Sequence, residues 1–236
     1  MRYAISGASR GIGLEFVRQL LARGDTVEAG ARVPAEARQL ASLGREAGAR
    51  LRIHPLDVTN ATSVRTFAII VGEGPVDVLI NNAGIGGKWN PLVDTDFDDM
   101  SDVMETNAIG PMRLSAAMLP LVLRGGTRKI VHLTSRMASF ADNTPAGVYG
   151  FAGGAYSYRM SKAALNAGMR TMAVDYREQG LITAVINPGW VQTDLGGKMA
   201  PTRVEESVQG MLRVIDDLTL ASSGRFMDYL GKELPW

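Results

Sequence analysis

Tyr158 and Lys162 stand four residues apart in a stretch that reads as helical, so their side chains leave the same face and can converge. A phenol of pKa about 10 is a poor acid or base at neutral pH, but an adjacent ammonium favours the phenolate and draws that value down. The pair is therefore a candidate acid–base unit, to be weighed against a packed tyrosine beside a solvated lysine. A second stretch with chemistry in its spacing is Ser6–Gly13, SGASRGIG, between the apolar run Tyr3-Ala4-Ile5 and an amphipathic run from Ile12. Strand, glycine-rich turn and helix bind a dinucleotide pyrophosphate, because the free N–H groups and positive end of the helix face the anion. Gly7 would allow the sharp turn, Gly11 the close approach of phosphate to backbone, and Gly13 the packing of helix on strand. The spacing G-x-x-x-G-x-G differs from the commoner G-x-G-x-x-G, and a glycine turn without a ligand is the alternative.

These residues need a frame. Apolar Ile12, Phe16, Val17, Leu20 and Leu21 recur at helical spacing until Gly24. Strands are expected at about Thr26–Ala31, Arg50–Leu56, Val76–Ile80, Lys129–Thr134, Ile182–Ile186 and Arg225–Tyr229, after the first at Tyr3–Ile5. Helices are expected at about Pro34–Ala47, Thr59–Val71, Phe97–Met118, Tyr156–Gln179 and Glu205–Leu218. Apolar strands alternating with helices give an α/β fold, a doubly wound and mostly parallel seven-stranded sheet with helices on both faces. Ligands of such sheets lie beyond the carboxyl ends of the strands. The segments at those ends are Ser6–Gly13, Ala31-Arg32, Asp57-Val58, Asn81–Gly84, Thr134-Ser135 and Asn187–Thr193.

The 236 residues suffice for a single domain over 1–236, with no second one required. Balanced charge, 25 Lys+Arg against 24 Asp+Glu, argues against nucleic acid or a membrane surface and for a small-molecule ligand. Without cysteine there is no disulfide, thiolate nucleophile or cysteine-ligated zinc, and two histidines, His54 and His132, make a poor metal set. The chain enters a core strand at once, leaving no room for a signal peptide, and no apolar run approaches the ~20 residues of a membrane span. A cytoplasmic protein is expected.

Ser6–Gly13, NNAG at Asn81–Gly84, Asn107, Ser135, YRMSK at Tyr158–Lys162 and NPGWVQTD at Asn187–Asp194 together resemble the short-chain dehydrogenase/reductase family, in the family's order. Within it the chain looks most like the C-factor and sniffer-type carbonyl reductases. The resemblance implies a Rossmann-type fold and an oxidoreductase that moves hydride between nicotinamide and a carbonyl or alcohol. Tyr158 would protonate the carbonyl oxygen or take the hydroxyl proton, Lys162 would hold the ribose and lower the phenol pKa, and Ser135 would hydrogen-bond the reacting oxygen. Asn107 would anchor a water connecting Lys162 to solvent. The cofactor set it implies is Gly7, Ser9, Arg10, Gly11, Ile12 and Gly13 in the turn, Arg32, and Asp57 and Val58 at the adenine. Asn81, Ala83, Gly84, Tyr158, Lys162, Pro188, Gly189, Val191 and Thr193 complete it, the last two at the nicotinamide carboxamide. Tyr156, Tyr149 and Ser139 are rivals, but Met160 and Gly153 stand where the two tyrosines would need a lysine, and Ser139 lies farther past the strand. The family also implies a homodimer or homotetramer. Here Asp142–Gly154 lengthens the Ser135-to-Tyr158 separation by about ten residues, which a loop absorbs at small entropic cost. This insertion precedes the helix that often packs between the family's subunits.

Charge argues for the dinucleotide. An acid closing the second strand would accept ribose hydroxyls, but Gly30-Ala31-Arg32 stands there and Arg10 lies in the glycine turn, which favours NADP(H) over NAD(H). Trp89, Phe140, Tyr149, Trp190 and Met199 are candidate pocket residues suited to an apolar or aromatic carbonyl compound. Gly196-Gly197 and Pro201 bracket a segment able to close over substrate. Asp94, Asp96, Asp98, Asp102 and Glu105 imitate a calcium loop, but Asp99 occupies its glycine position, and acids at a helix start have a simpler cause in the helix dipole. His132, mid-strand among Ile130, Val131 and Leu133, reads as a hydrogen-bonded interior residue. Two other functions remain open: a dinucleotide-binding signalling or regulatory protein with little turnover, and epimerisation or dehydration on the same scaffold.

Overall fold

In a computed structural model describing residues 1–236, seven strands form one sheet: β1 Arg2–Ser6, β2 Thr26–Ala31, β3 Leu51–Pro55, β4 Val78–Asn81, β5 Lys129–Leu133, β6 Ile182–Asn187 and β7 Arg225–Asp228. Their order is β3-β2-β1-β4-β5-β6-β7, and all six pairings are parallel, so the sheet is wholly rather than mostly parallel. The helices are α1 Gly11–Ala22, α2 Arg38–Ala47, α3 Ala61–Val71, α4 Phe97–Met104, α5 Gly110–Leu123, α6 Tyr156–Asp175 and α7 Val204–Asp217. None is long and apolar enough to cross a membrane.

Alternate residues of each central strand feed two cores. Ile5, Ile80, Val131 and Ala184 meet Phe16 and Leu20 of α1 and Met211 and Ile215 of α7 on one face. Ala4, Leu79 and Ile130 meet Phe67 of α3, Leu114 and Met118 of α5 and Met172 of α6 on the other. Both faces being covered, the strands read as nearly continuous apolar runs. The chain leaves β1 toward β2 and β3, then crosses back to lay β4 on the other side of β1. That reversal opens a crevice at the carboxyl ends of β1 and β4.

Three helices differ from expectation: the stretch expected as Tyr156–Gln179 is α6, ending at Asp175, followed by a separate 3₁₀ turn, Arg177–Gln179. The stretch expected as one helix over Pro34–Ala47 begins with a single 3₁₀ turn, Pro34–Glu36, before α2. The expected helix Phe97–Met118 is α4 and α5 joined by a π-helical turn, Glu105–Ile109, and it runs on to Leu123 past Pro120. Such turns insert a residue into the helical repeat and gather at functional positions; this one carries the fully buried Asn107.

Candidate active site

The crevice is built by two turns that hold each other. Ser6 Oγ accepts from the backbone N–H of Asn82 and of Ala83, each at 3.1 Å. Asn82 Nδ2 donates back to the carbonyls of Ser6 and Gly7, each at 2.9 Å. Gly7 has φ +67°, and a Cβ on it would lie 2.9 Å from Ala83 Cα; a Cβ on Gly13 would lie 2.2 Å from the Gly7 carbonyl oxygen. The first closes the turn and the second brings α1 onto it, the two roles expected. Gly11, φ +53°, has only the Thr193 side chain near it, at 3.5 Å, so the face where a phosphate would approach is free of backbone. Arg10, at the start of α1, makes no side-chain cap, leaving the first N–H groups of that helix to a ligand. The residues present thus fit a bound dinucleotide. Asn82 was not singled out in the sequence, although it stands inside the NNAG run.

Of the expected cofactor arginines, Arg32 is exposed just past β2, with no acid closing that strand. Arg10 bridges to Asp194 at 3.2 Å, joining the glycine turn to the loop after β6. Asp57 is taken up locally, its Oδ1 accepting from the N–H and hydroxyl of Thr59, and Val58 packs against Gly110 with its carbonyl held by Arg113 at 2.7 Å.

The candidate acid–base residues converge from β5 and α6. Ser135 starts the turn that follows β5, its Oγ accepting from Met137 N at 3.2 Å. Tyr158 is in the first turn of α6, its ring packed against Met137, Val148 and Ala155. Lys162, one turn on, is buried with its Nζ 5.9 Å from the Tyr158 ring centre and donating to the Leu133 carbonyl at 2.8 Å. Asn107 Oδ1 accepts from Ile85 N at 2.8 Å, while Nδ2 donates to the Ile85 carbonyl and to Ser161 Oγ. A Cβ on Gly84 would lie 3.2 Å from Asn107 Oδ1 and 3.5 Å from Lys162 Nζ, so these two polar groups flank that glycine.

The electrostatics correct one expectation. Burial raises the Tyr158 phenol above its ordinary value, against a smaller lowering by a hydrogen bond from Ser135, so the shift is upward and not down. Burial acts on Lys162 too, lowering it to about 8. At neutral pH the phenol keeps its proton and can donate it. His132 is interior, as expected, but neither ring nitrogen has a hydrogen-bond partner. Burial, then the Lys162 charge, lowers it to about 3.

The rivals have structural work. Ser139 Oγ donates to the Trp236 carbonyl and accepts from Asp142 N. Of the acids of the calcium-like run, Asp96 caps α4, accepting from the N–H groups of Asp98 and Asp99, and pairs with Lys88, while Glu105 pairs with Arg113. Of the pocket candidates, Trp89, Tyr149 and Trp190 come together, and Phe151, missed in the sequence, is the ring that joins them. Phe140 and Met199 do not join; they are 81% and 85% exposed. The Gly196-Gly197 segment is knitted by Trp190 Nε1 to the Gly196 carbonyl and by Thr193 to the N–H groups of both glycines.

A family model for short chain dehydrogenase matches residues 3–203. The C-signal of Myxococcus xanthus is 53% identical over 173 residues, which are 73% of this chain and 100% of that protein. The NADPH-bound carbonyl reductase from chicken fatty liver superposes with a TM-score of 0.92 at 36% identity, over 100% of this chain and 98% of that one. Carbonyl reductase Sniffer of D. melanogaster gives 0.91 at 28% identity, over 100% and 99%. By fold, crevice and sequence match alike, the chain belongs to the short-chain dehydrogenase family of oxidoreductases.

Proposed function

We propose that this protein is an NADP(H)-dependent carbonyl reductase or alcohol dehydrogenase acting on a small apolar carbonyl compound, with Tyr158 as general acid and base. The observation that carries this is the convergence of Ser135, Tyr158 and Lys162 beside the crevice of the glycine turn. NADP(H), when bound, supplies or accepts the hydride. Gly7, Ser9, Arg10, Gly11, Ile12 and Gly13 would hold its pyrophosphate, Arg32 the 2′-phosphate, and Asp57 and Val58 the adenine end. Asn81, Ala83, Gly84, Pro188, Gly189, Val191 and Thr193 would line the nicotinamide half, with Lys162 at the ribose. Tyr158 gives its proton to the carbonyl oxygen in reduction and recovers one from solvent afterwards; Ser135 stabilises the charge that develops on that oxygen. Asn107 fixes the Gly84-Ile85 backbone beside Lys162. In this reading the protein works in the cytoplasm with a small molecule, and neither nucleic acid nor membrane is its partner.

The identity to the C-signal favours a second reading, a dinucleotide-binding signalling or regulatory protein with little turnover. One experiment separates them. NADPH and NADH are titrated by fluorescence, and aldehydes, ketones and diketones are then added while cofactor absorbance is followed. Tight NADPH binding with oxidation on a carbonyl supports the reductase; tight binding with none across the panel supports the regulatory reading. Arg32→Asp is expected to reduce the preference for NADPH about tenfold to a hundredfold, the worth of one guanidinium–phosphate contact after solvation.

A further inference from the structure

Arg159 follows Tyr158 in α6, is buried, and has no carboxylate partner. Its guanidinium is spent on backbone carbonyls: Nε donates to Gly154 at 3.1 Å, Nη2 to Phe151 at 2.9 Å and Gly153 at 3.2 Å, and Nη1 to Met137 at 3.3 Å. Three of these carbonyls belong to the inserted stretch 142–154 and the fourth to the turn that Ser135 begins. A buried cation without a counter-ion is costly, and here those carbonyls are what offset it.

The insertion ends in a tight hairpin. Val148 and Phe151 pair across Tyr149 and Gly150, both of positive φ (+55° and +82°), with Phe151 N donating to the Val148 carbonyl at 2.9 Å. Val148 points inward, and the Tyr158 ring packs on its cluster. Phe151 points to the other two loops, edge-on to Trp89 (ring centres 5.1 Å apart) and to Trp190 (5.4 Å), while Tyr149 lies 6.1 Å from Trp190. Loops following β4, β5 and β6 are thereby joined ring to ring at the hairpin whose Val148 packs with the Tyr158 ring, and the carbonyl of Phe151, at the junction, is one of the four that Arg159 holds.

We propose that Arg159 is a positioning residue which, through Phe151, fixes an aromatic wall beside Tyr158 and so selects carbonyl compounds carrying a flat ring over small aliphatic ones. This rests on the carbonyl reductase reading. Flat rings gain edge-to-face and stacking contacts from such a wall, which a short alkyl chain lacks the π-system to make.

The test compares benzaldehyde with propanal, using NADPH, in wild type, Arg159→Met, Arg159→Lys and Phe151→Ala. Arg159→Met keeps the length of the side chain and removes its donors. It is expected to raise KM for benzaldehyde about tenfold or more with kcat little changed, and to leave propanal kinetics and NADPH affinity as in wild type. Arg159→Lys should recover part of the loss. Phe151→Ala should raise the same KM with α6 untouched, and Arg159→Met combined with Phe151→Ala should be no worse than the weaker single variant, since both act through one ring. Equal losses on both aldehydes, a fall in kcat at constant KM, or additive losses in the double variant would overturn the proposal. If Arg159→Met does not fold, the lysine variant and Phe151→Ala decide by the same criteria. If wild type binds NADPH but reduces neither these aldehydes nor any ketone or diketone of the panel, the reductase reading is what fails. The clamp is then read from near-ultraviolet circular dichroism, where Arg159→Met must alter the signal of Trp89 and Trp190, each packed on Phe151, and an unchanged spectrum sinks it.

Discussion

Lys162 shows how burial sets the chemistry of single residues. Its value of about 8 means that the free protein begins to lose this charge just above neutrality. In the proposed reading this cation lies at the ribose and favours the anionic cofactor, so NADPH affinity is expected to fall as pH rises through about 8. Lys162→Met should bind more weakly at pH 7 and lack this dependence; fluorescence titrations at pH 6.5, 7.5 and 9 check both. His132 acts on stability. Its ordinary 6.5 is lowered to about 3 in the fold, so between those values only the unfolded chain takes up the proton. The folded state is therefore at full advantage above pH 6.5 and loses it as pH falls toward 3. Urea unfolding at pH 7 and pH 4.5 should show a smaller loss in His132→Leu than in wild type. The Tyr158–Lys162 spacing was legible in the sequence because helical geometry puts i and i+4 on one face. The direction of the phenol shift was not, since it depends on Met137 and Val148 closing over the ring from another loop.

At the scale of elements, the glycine turn and α1 form one unit. Alanine in place of a helical glycine ordinarily stabilises, by about 1 kcal/mol. Gly13→Ala should do the opposite, because its Cβ would meet the Gly7 carbonyl at 2.2 Å and Asn82 Nδ2 at 2.5 Å. A loss of about 1–3 kcal/mol by urea unfolding is expected, with NADPH affinity lower about tenfold. The turn at Gly7 and the packing at Gly13 could be read from spacing alone, since each is a local demand of strand, turn and helix. Asn82, the π-helical turn at Asn107 and the hairpin at Tyr149-Gly150 could not. Asn82 matters through backbone carbonyls of another strand, the π turn reads in sequence as continuous helix, and the hairpin is held by Arg159 from a helix. Phe140 and Met199 failed as pocket residues for a related reason: following the strand ends places a residue near the crevice but does not say which way it faces.

For the whole molecule, the sheet order follows from alternating strands and helices, and the reversal beside β1 locates the crevice before any side chain is considered. A ligand bound across that crevice touches both halves of the sheet and should stabilise the fold as a unit. At a hundred times its dissociation constant a ligand adds about 2.7 kcal/mol, which for a chain of this size raises Tm by about 5–10 °C. NADPH is expected to give that shift in a thermal melt, and NADH at equal concentration a smaller one. The proposed tyrosine-assisted carbonyl reduction is tested most directly by the steady-state rate of NADPH oxidation by Tyr158→Phe beside wild type. NADPH affinity of both proteins is measured on the same samples. Unchanged affinity and a rate lower by about a hundredfold to ten-thousandfold are expected; a variant that binds NADPH and turns over at a near-normal rate would contradict the role of Tyr158.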